Sequence, residues 1–209
     1  MVNLLIIAFA MTLTYSAIAN RFSSLIRILA IQGLLIFGVA LLELHQINLI
    51  NLIFILLETL VFKSILVPAI LYAVITRNKV SRDCEINKSF FNSIFSVIAI
   101  FAFSFVLAYQ LHDEHLKIIY FTASVSAIMI GIFLMIFRKT IITHTIGYII
   151  LENGIFLFSL ALGSDMPMIV NMGILLDLFS TVLILGIFVN RISDVFNNIE
   201  VDVLTTLKD

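Results

Sequence analysis

Long apolar runs separated by brief polar interruptions account for nearly all of the chain. Seven such runs can be marked, over residues 2–19, 24–43, 47–76, 89–110, 118–137, 141–162 and 167–190, and about 20 consecutive apolar residues are enough for one helical crossing of a bilayer. The pattern predicts an all-α, polytopic membrane protein. It would be a seven-transmembrane-helix bundle forming one integral membrane domain over residues 1–209, with a polar tail over 191–209. The third run, about 30 residues long, exceeds a single crossing. It must tilt or extend past the lipid, and Pro68 predicts a bend in its second half. The turn near Leu44 to Gln46 is short, so spans two and three are expected to be antiparallel neighbours. The one sustained polar stretch, RNKVSRDCEINK from Arg77 to Lys88, separates three spans from four. No Lys or Arg precedes the first span, the earliest being Arg21. That run lacks the basic start of a secretory signal and is expected to be retained.

Composition narrows the picture further. Of the 209 residues 62% are hydrophobic and 12% charged, whereas soluble domains carry about 25% charged residues. Seven spans with short connections use up the length, which leaves no room for an extramembrane domain and excludes a soluble enzyme or a large nucleotide-binding module. The net charge of −1 offers no basic patch for nucleic acid. The Lys and Arg residues set an orientation. Arg21, Arg27, Arg77, Lys79, Arg82, Lys88, Arg138, Lys139, Arg191 and Lys208, ten of the twelve, fall on one side of the predicted bundle. By the positive-inside rule that side is cytoplasmic, so the N-terminus faces out and the C-terminus in. Arg27 can snorkel at the cytoplasmic end of span two. Cys84, the single cysteine, then lies in a cytoplasmic loop as a free thiol.

Four charged residues fall deep within spans: Glu58 and Lys63 in the third, Glu152 in the sixth and Asp177 in the seventh. A charge at the bilayer centre costs roughly 2.5–3.5 kcal/mol on the insertion scale, so these side chains must face protein, water or one another. Counting from the outer turns at about 1.5 Å per residue puts Glu152 and Asp177 at the midplane on adjacent antiparallel helices. Glu58 reaches the same level, with Lys63 about 7 Å closer to the cytoplasm. Two neighbouring carboxylates in an apolar setting do not both ionise readily, so one is expected to hold a proton. The functional reading is a relay in which Glu152 and Asp177 exchange protons and Lys63 supplies a counter-charge. The structural reading is a buried ion pair between Lys63 and one of the carboxylates that fixes helix packing. Glu58 and Lys63, five apart, stand about 140° apart around an α-helix and are poorly placed to pair with each other. His144, Tyr148 and Glu152 recur every fourth residue and share one face of span six. His144 is a candidate proton entry at the cytoplasmic edge or a satisfied helix-end histidine, and Asn153 is placed to bond across helices. The cluster His112, Asp113, Glu114, His115 lacks a closed ligand set and is read as a solvated outer turn, so no metal site is assigned.

With those residues located, the chain resembles a known family. IGYIILENG (Ile146 to Gly154), GILLDLFSTVLILGIFVNRI around Asp177, KSILVP (Lys63 to Pro68) and the tail VDVLTTLKD together resemble component E of hydrogenase four. That component is the membrane subunit of formate-hydrogenlyase-type complexes, and the likeness covers essentially the full chain. The last two spans also look like helices of the K subunit of respiratory complex I and of the C subunit of multisubunit cation/proton antiporters. In those relatives each helix carries an essential carboxylate, and the matching positions are Glu152 and Asp177, the latter one methylene shorter than the Glu of the complex I subunit.

The resemblance implies a non-catalytic subunit of an oxidoreductase complex in a bacterial or archaeal cell (inner) membrane. A peripheral redox arm would exchange electrons while antiporter-like membrane subunits move H⁺ or Na⁺. No cofactor is expected on this chain, since one cysteine cannot ligate an iron–sulfur cluster. A cation/proton antiporter subunit without hydrogenase is the alternative from a second class, and a structural membrane scaffold that of a third.

Overall fold

The computed structural model describes residues 1–43, 53, 56–77, 90–111, 117–138 and 140–162. Every element among them is helical. Helix α1 is Val2–Ile18 and α2 is Phe22–Glu43; a π-helix, Leu56–Leu66, runs into α3, Val67–Arg77. Helices α4, Phe90–Gln110, α5, Ile118–Phe137, and α6, Ile141–Ala161, follow. Four stretches, Phe22–Glu43, Ser93–Gln110, Ile118–Phe137 and Ile142–Ala161, are long and apolar enough to cross a membrane. Helix α1 and the Thr59–Ala73 stretch are apolar but shorter. The ends of α1, α2, α4, α5 and α6 fall within two residues of the limits of the corresponding apolar runs. The seventh run, the Arg77 to Lys88 loop beyond its first residue, the turn after Glu43 and the His112 to His115 turn lie outside the described residues.

The third run departs from a simple α-helix. Residues 56–66 form hydrogen bonds of the i→i+5 type, and the switch to α geometry comes immediately before Pro68. Proline explains the position of the switch. It has no N–H, so the carbonyl of Lys63, five residues back, cannot receive the bond that would continue the π register. Pro68 then sits in the first turn of α3, where a missing donor is tolerated.

Short connections fold the helices into antiparallel pairs. Residues 19–21 join α1 to α2, and Gly38 lets α2 approach Leu5. The turn from α5 to α6 is equally tight. Across that hairpin the backbones are in contact: a Cβ on Gly131 would lie 2.6 Å from the Gly147 carbonyl oxygen, and one on Gly147 would lie 2.8 Å from the Gly131 oxygen. Gly154, seven residues after Gly147, continues the seam against Ala127 and Ile128. Small residues allow this closeness, which in an apolar solvent is the main source of helix association. At its far end the rings of Phe121 and Phe158 pack with centroids 5.4 Å apart.

Arg138, in the hairpin turn, is buried and donates from Nη2 to the carbonyls of Ala17 (3.1 Å) and Ala19 (2.8 Å). A cation there satisfies the free carbonyls at the C-terminus of α1 and complements the negative end of its dipole. At the other end of the bundle the Glu43 carboxylate, closing α2, accepts hydrogen bonds from Lys117 and Tyr120 at the start of α5. The outer surface is strongly apolar, with Leu4, Phe95, Ile136 and Tyr109 more than half exposed. Arg27 is exposed as well.

Candidate functional site

Glu152 occupies the middle of α6, with ten residues or so of regular helix on either side. It is 2% exposed, and its carboxylate Oε1 lies 3.5 Å from the ammonium Nζ of Lys63, itself 5% exposed, on the π-helix. Phe156, one turn beyond Glu152 on the same face of α6, presents its ring to the ammonium at 5.1 Å from Nζ to the centroid. The lysine thus meets an anion and a π-face together, both favourable to a cation removed from water. Of the three carboxylates proposed from the sequence as partners for Lys63, the described structure pairs it with Glu152.

The neighbouring helix holds Lys63 in place. A Cβ on Gly33 of α2 would come within 2.8 Å of the Ser64 nitrogen and 2.9 Å of the Lys63 carbonyl carbon. Only glycine lets α2 lie directly on the π-helix at this point. Ser64 Oγ donates to the Ala30 carbonyl at 3.1 Å, a second tie between the same elements. Thr59, one turn before Lys63, is also buried.

The π geometry changes one sequence expectation. The 140° offset between positions 58 and 63 holds for an α-helix, whereas i→i+5 bonding brings residues five apart to successive turns of one side. The Glu58 side chain lies outside the described residues, as does all of Asp177.

On α6, His144 and Tyr148 precede Glu152 by two turns and one, and both are half-buried. His144 Nε2 lies 2.7 Å from the Arg138 carbonyl oxygen. A carbonyl only accepts, so Nε2 carries the proton and donates, leaving Nδ1 for a second contact. The histidine therefore ties the start of α6 to the residue that caps α1.

Two amides join the charged pair. Gln32, adjacent to Gly33, and Asn153, adjacent to Glu152, are each 0% exposed. Neither the nitrogen nor the oxygen of either side chain has a hydrogen-bond partner among the described residues. The bond across helices expected of Asn153 is thus absent there. Sequence reading passed over Gln32, although a lone amide in the middle of a long apolar run was a usable signal. It also passed over Glu43 and treated Arg138 as a loop charge, because burial of a turn residue against another helix's end leaves no local mark.

Comparison with known proteins adds one relative. An uncharacterized protein of Mycobacterium tuberculosis is 29% identical over 87 residues, which is 42% of this chain and 40% of that protein. The matched segment therefore spans less than half of the relative. No protein-family model matches the chain, and no solved structure matches it significantly.

Proposed function

We propose that this chain is a membrane subunit of an energy-converting, complex I-like redox complex of the membrane-bound hydrogenase type. It contributes to H⁺ or Na⁺ translocation and docks antiporter-like subunits, while electrons are handled by a peripheral arm on other chains. The observation that carries this reading is the Lys63–Glu152 ion pair, buried inside an apolar helical bundle. Ionisable groups at such depth are retained where they serve an ion path. The family resemblance around Lys63, Glu152 and Asp177 supports the same assignment. In this reading seven helices cross a bacterial or archaeal cell membrane with the N-terminus outside. Glu152 and Asp177 exchange the ion, Lys63 balances their charge, Glu58 extends the path, and Tyr148 and His144 lead toward the cytoplasmic edge.

Mass spectrometry of the complex purified in mild detergent from its native membrane tests the assignment. A [NiFe] or related redox module together with antiporter-like subunits is the expected company. Antiporter subunits alone would replace the reading with that of a cation/proton antiporter, and recovery without either would favour a scaffold. Function is tested by Glu152→Gln and Asp177→Asn, which should lower ion movement in sealed vesicles while the complex still assembles. Cys84 tests the orientation: an impermeant thiol reagent should label it only after permeabilisation, and labelling from outside would reverse the topology.

A further inference from the structure

Gln32 and Asn153 present four buried polar atoms with no protein partner among the described residues. Burying an amide without a hydrogen bond forfeits its hydration with nothing in return, so each such group in a folded bundle calls for a bound partner. Their placement is shared. Gly33 rests on the backbone of Lys63 and Ser64, which sets Gln32, one residue away, at the level of Lys63. Lys63 reaches Glu152, and Asn153 follows Glu152 directly. Helices α2 and α6 touch each other, and α2 also lies along the π-helix. Two amides and one ion pair therefore lie at one depth of the bundle.

We propose that Gln32 and Asn153 bind internal water molecules beside the Lys63–Glu152 pair, forming a hydrated pocket through which protons, rather than Na⁺, reach Glu152. The water site stands on the buried amides, and its use as a proton route rests on the translocation reading above. The donors and acceptors suit water, which needs two to four polar partners. Each amide supplies an acceptor oxygen and two N–H donors, the ammonium supplies further donors, and the carboxylate supplies acceptors. A metal cation is disfavoured by charge. Lys63 already stands at the carboxylate, and a second cation brought beside its ammonium would be repelled. The step itself is simple. An O–H bond of a hydrated proton breaks, one forms on the Glu152 carboxylate, and a neutral water stays on the amides.

The test reads hydration and transport separately. Water-edited solid-state NMR of the ¹⁵N-labelled full chain in lipid bilayers should show magnetisation transfer from water to the side-chain amides of Gln32 and Asn153. Each signal would be assigned by its loss in Gln32→Met or Asn153→Leu. Dry amides would overturn the site whatever complex the chain belongs to. In sealed vesicles carrying the native complex in Na⁺-free medium, the double variant Gln32→Met/Asn153→Leu should slow proton movement by roughly a hundredfold, the lower end of the range for a lost proton-transfer group. The pair Gln32→Asn and Asn153→Gln, which keep the amide, should retain most of the rate. Wild-type rates in the apolar double variant would overturn the route. Amide resonances that move on Na⁺ titration, or transport that requires Na⁺, would overturn it in favour of a metal-cation site. Wet amides in a chain whose complex moves no ions would leave the water site standing and remove the translocation reading alone.

Discussion

Helix α6 meets α5 and the π-helix in different ways. Toward α5 it offers Gly147 and Gly154, and the two backbones come into contact along a seam with no room for another methyl group. Toward the π-helix it offers Glu152 and Phe156, which hold a lysine ammonium at 3.5 Å and 5.1 Å respectively. The first contact derives its strength from close packing and has one low-energy arrangement. The second places charges at the level of amides that have no partner among the described residues, so it depends on what else enters the bundle. A single helix thus joins a rigid wall to a polar interior.

The comparison is broken most severely at the ion pair. Lys63→Met leaves the Glu152 carboxylate buried without its cation and should destabilise the protein by roughly 3–5 kcal/mol, while Lys63→Met combined with Glu152→Leu should recover most of the loss. Thermal unfolding in detergent with a double-mutant cycle measures both, and additive effects of the two changes would show that the pair is not coupled. On the seam, Gly131→Ala forces a Cβ into the Gly147 carbonyl and should cost about 3 kcal/mol, the upper range for overpacking. The same substitution at Gly38, where the nearest atom is a flexible leucine methyl at 3.2 Å, should cost far less. Arg138→Met removes two charged hydrogen bonds from the end of α1 and should lower stability by about 2 kcal/mol, seen as faster amide exchange at the C-terminus of α1. Ser64→Ala, which loses one bond to α2, should cost about 0.6 kcal/mol and sharpen the contrast by showing how little a neutral tie adds there.

Sequence alone made the two kinds of contact unequally visible. Glu152 and Lys63 stand out because a charge within an apolar run has few explanations, and regular helix ends could be read from run length. That Lys63 meets Glu152 on a distant helix could not be read, because it depends on how the π-helix and α6 come together in the bundle. The π register was hidden for a related reason: its cause, Pro68 five residues after Lys63, looks in sequence like an ordinary kink signal. The glycine seam left no signal of its own in a chain with eight glycines, since Gly131 and Gly147 matter only through each other.

The separation of Lys63 from Glu152 along the chain has a consequence for biogenesis. The π-helix leaves the ribosome with its lysine before α4, α5 and the first half of α6 have been made. At translation rates of 5–20 residues per second the lysine waits roughly 5–20 s for its carboxylate. The contact between them is therefore an event of the sixth helix, completed when α6 arrives and not when the π-helix itself is synthesised.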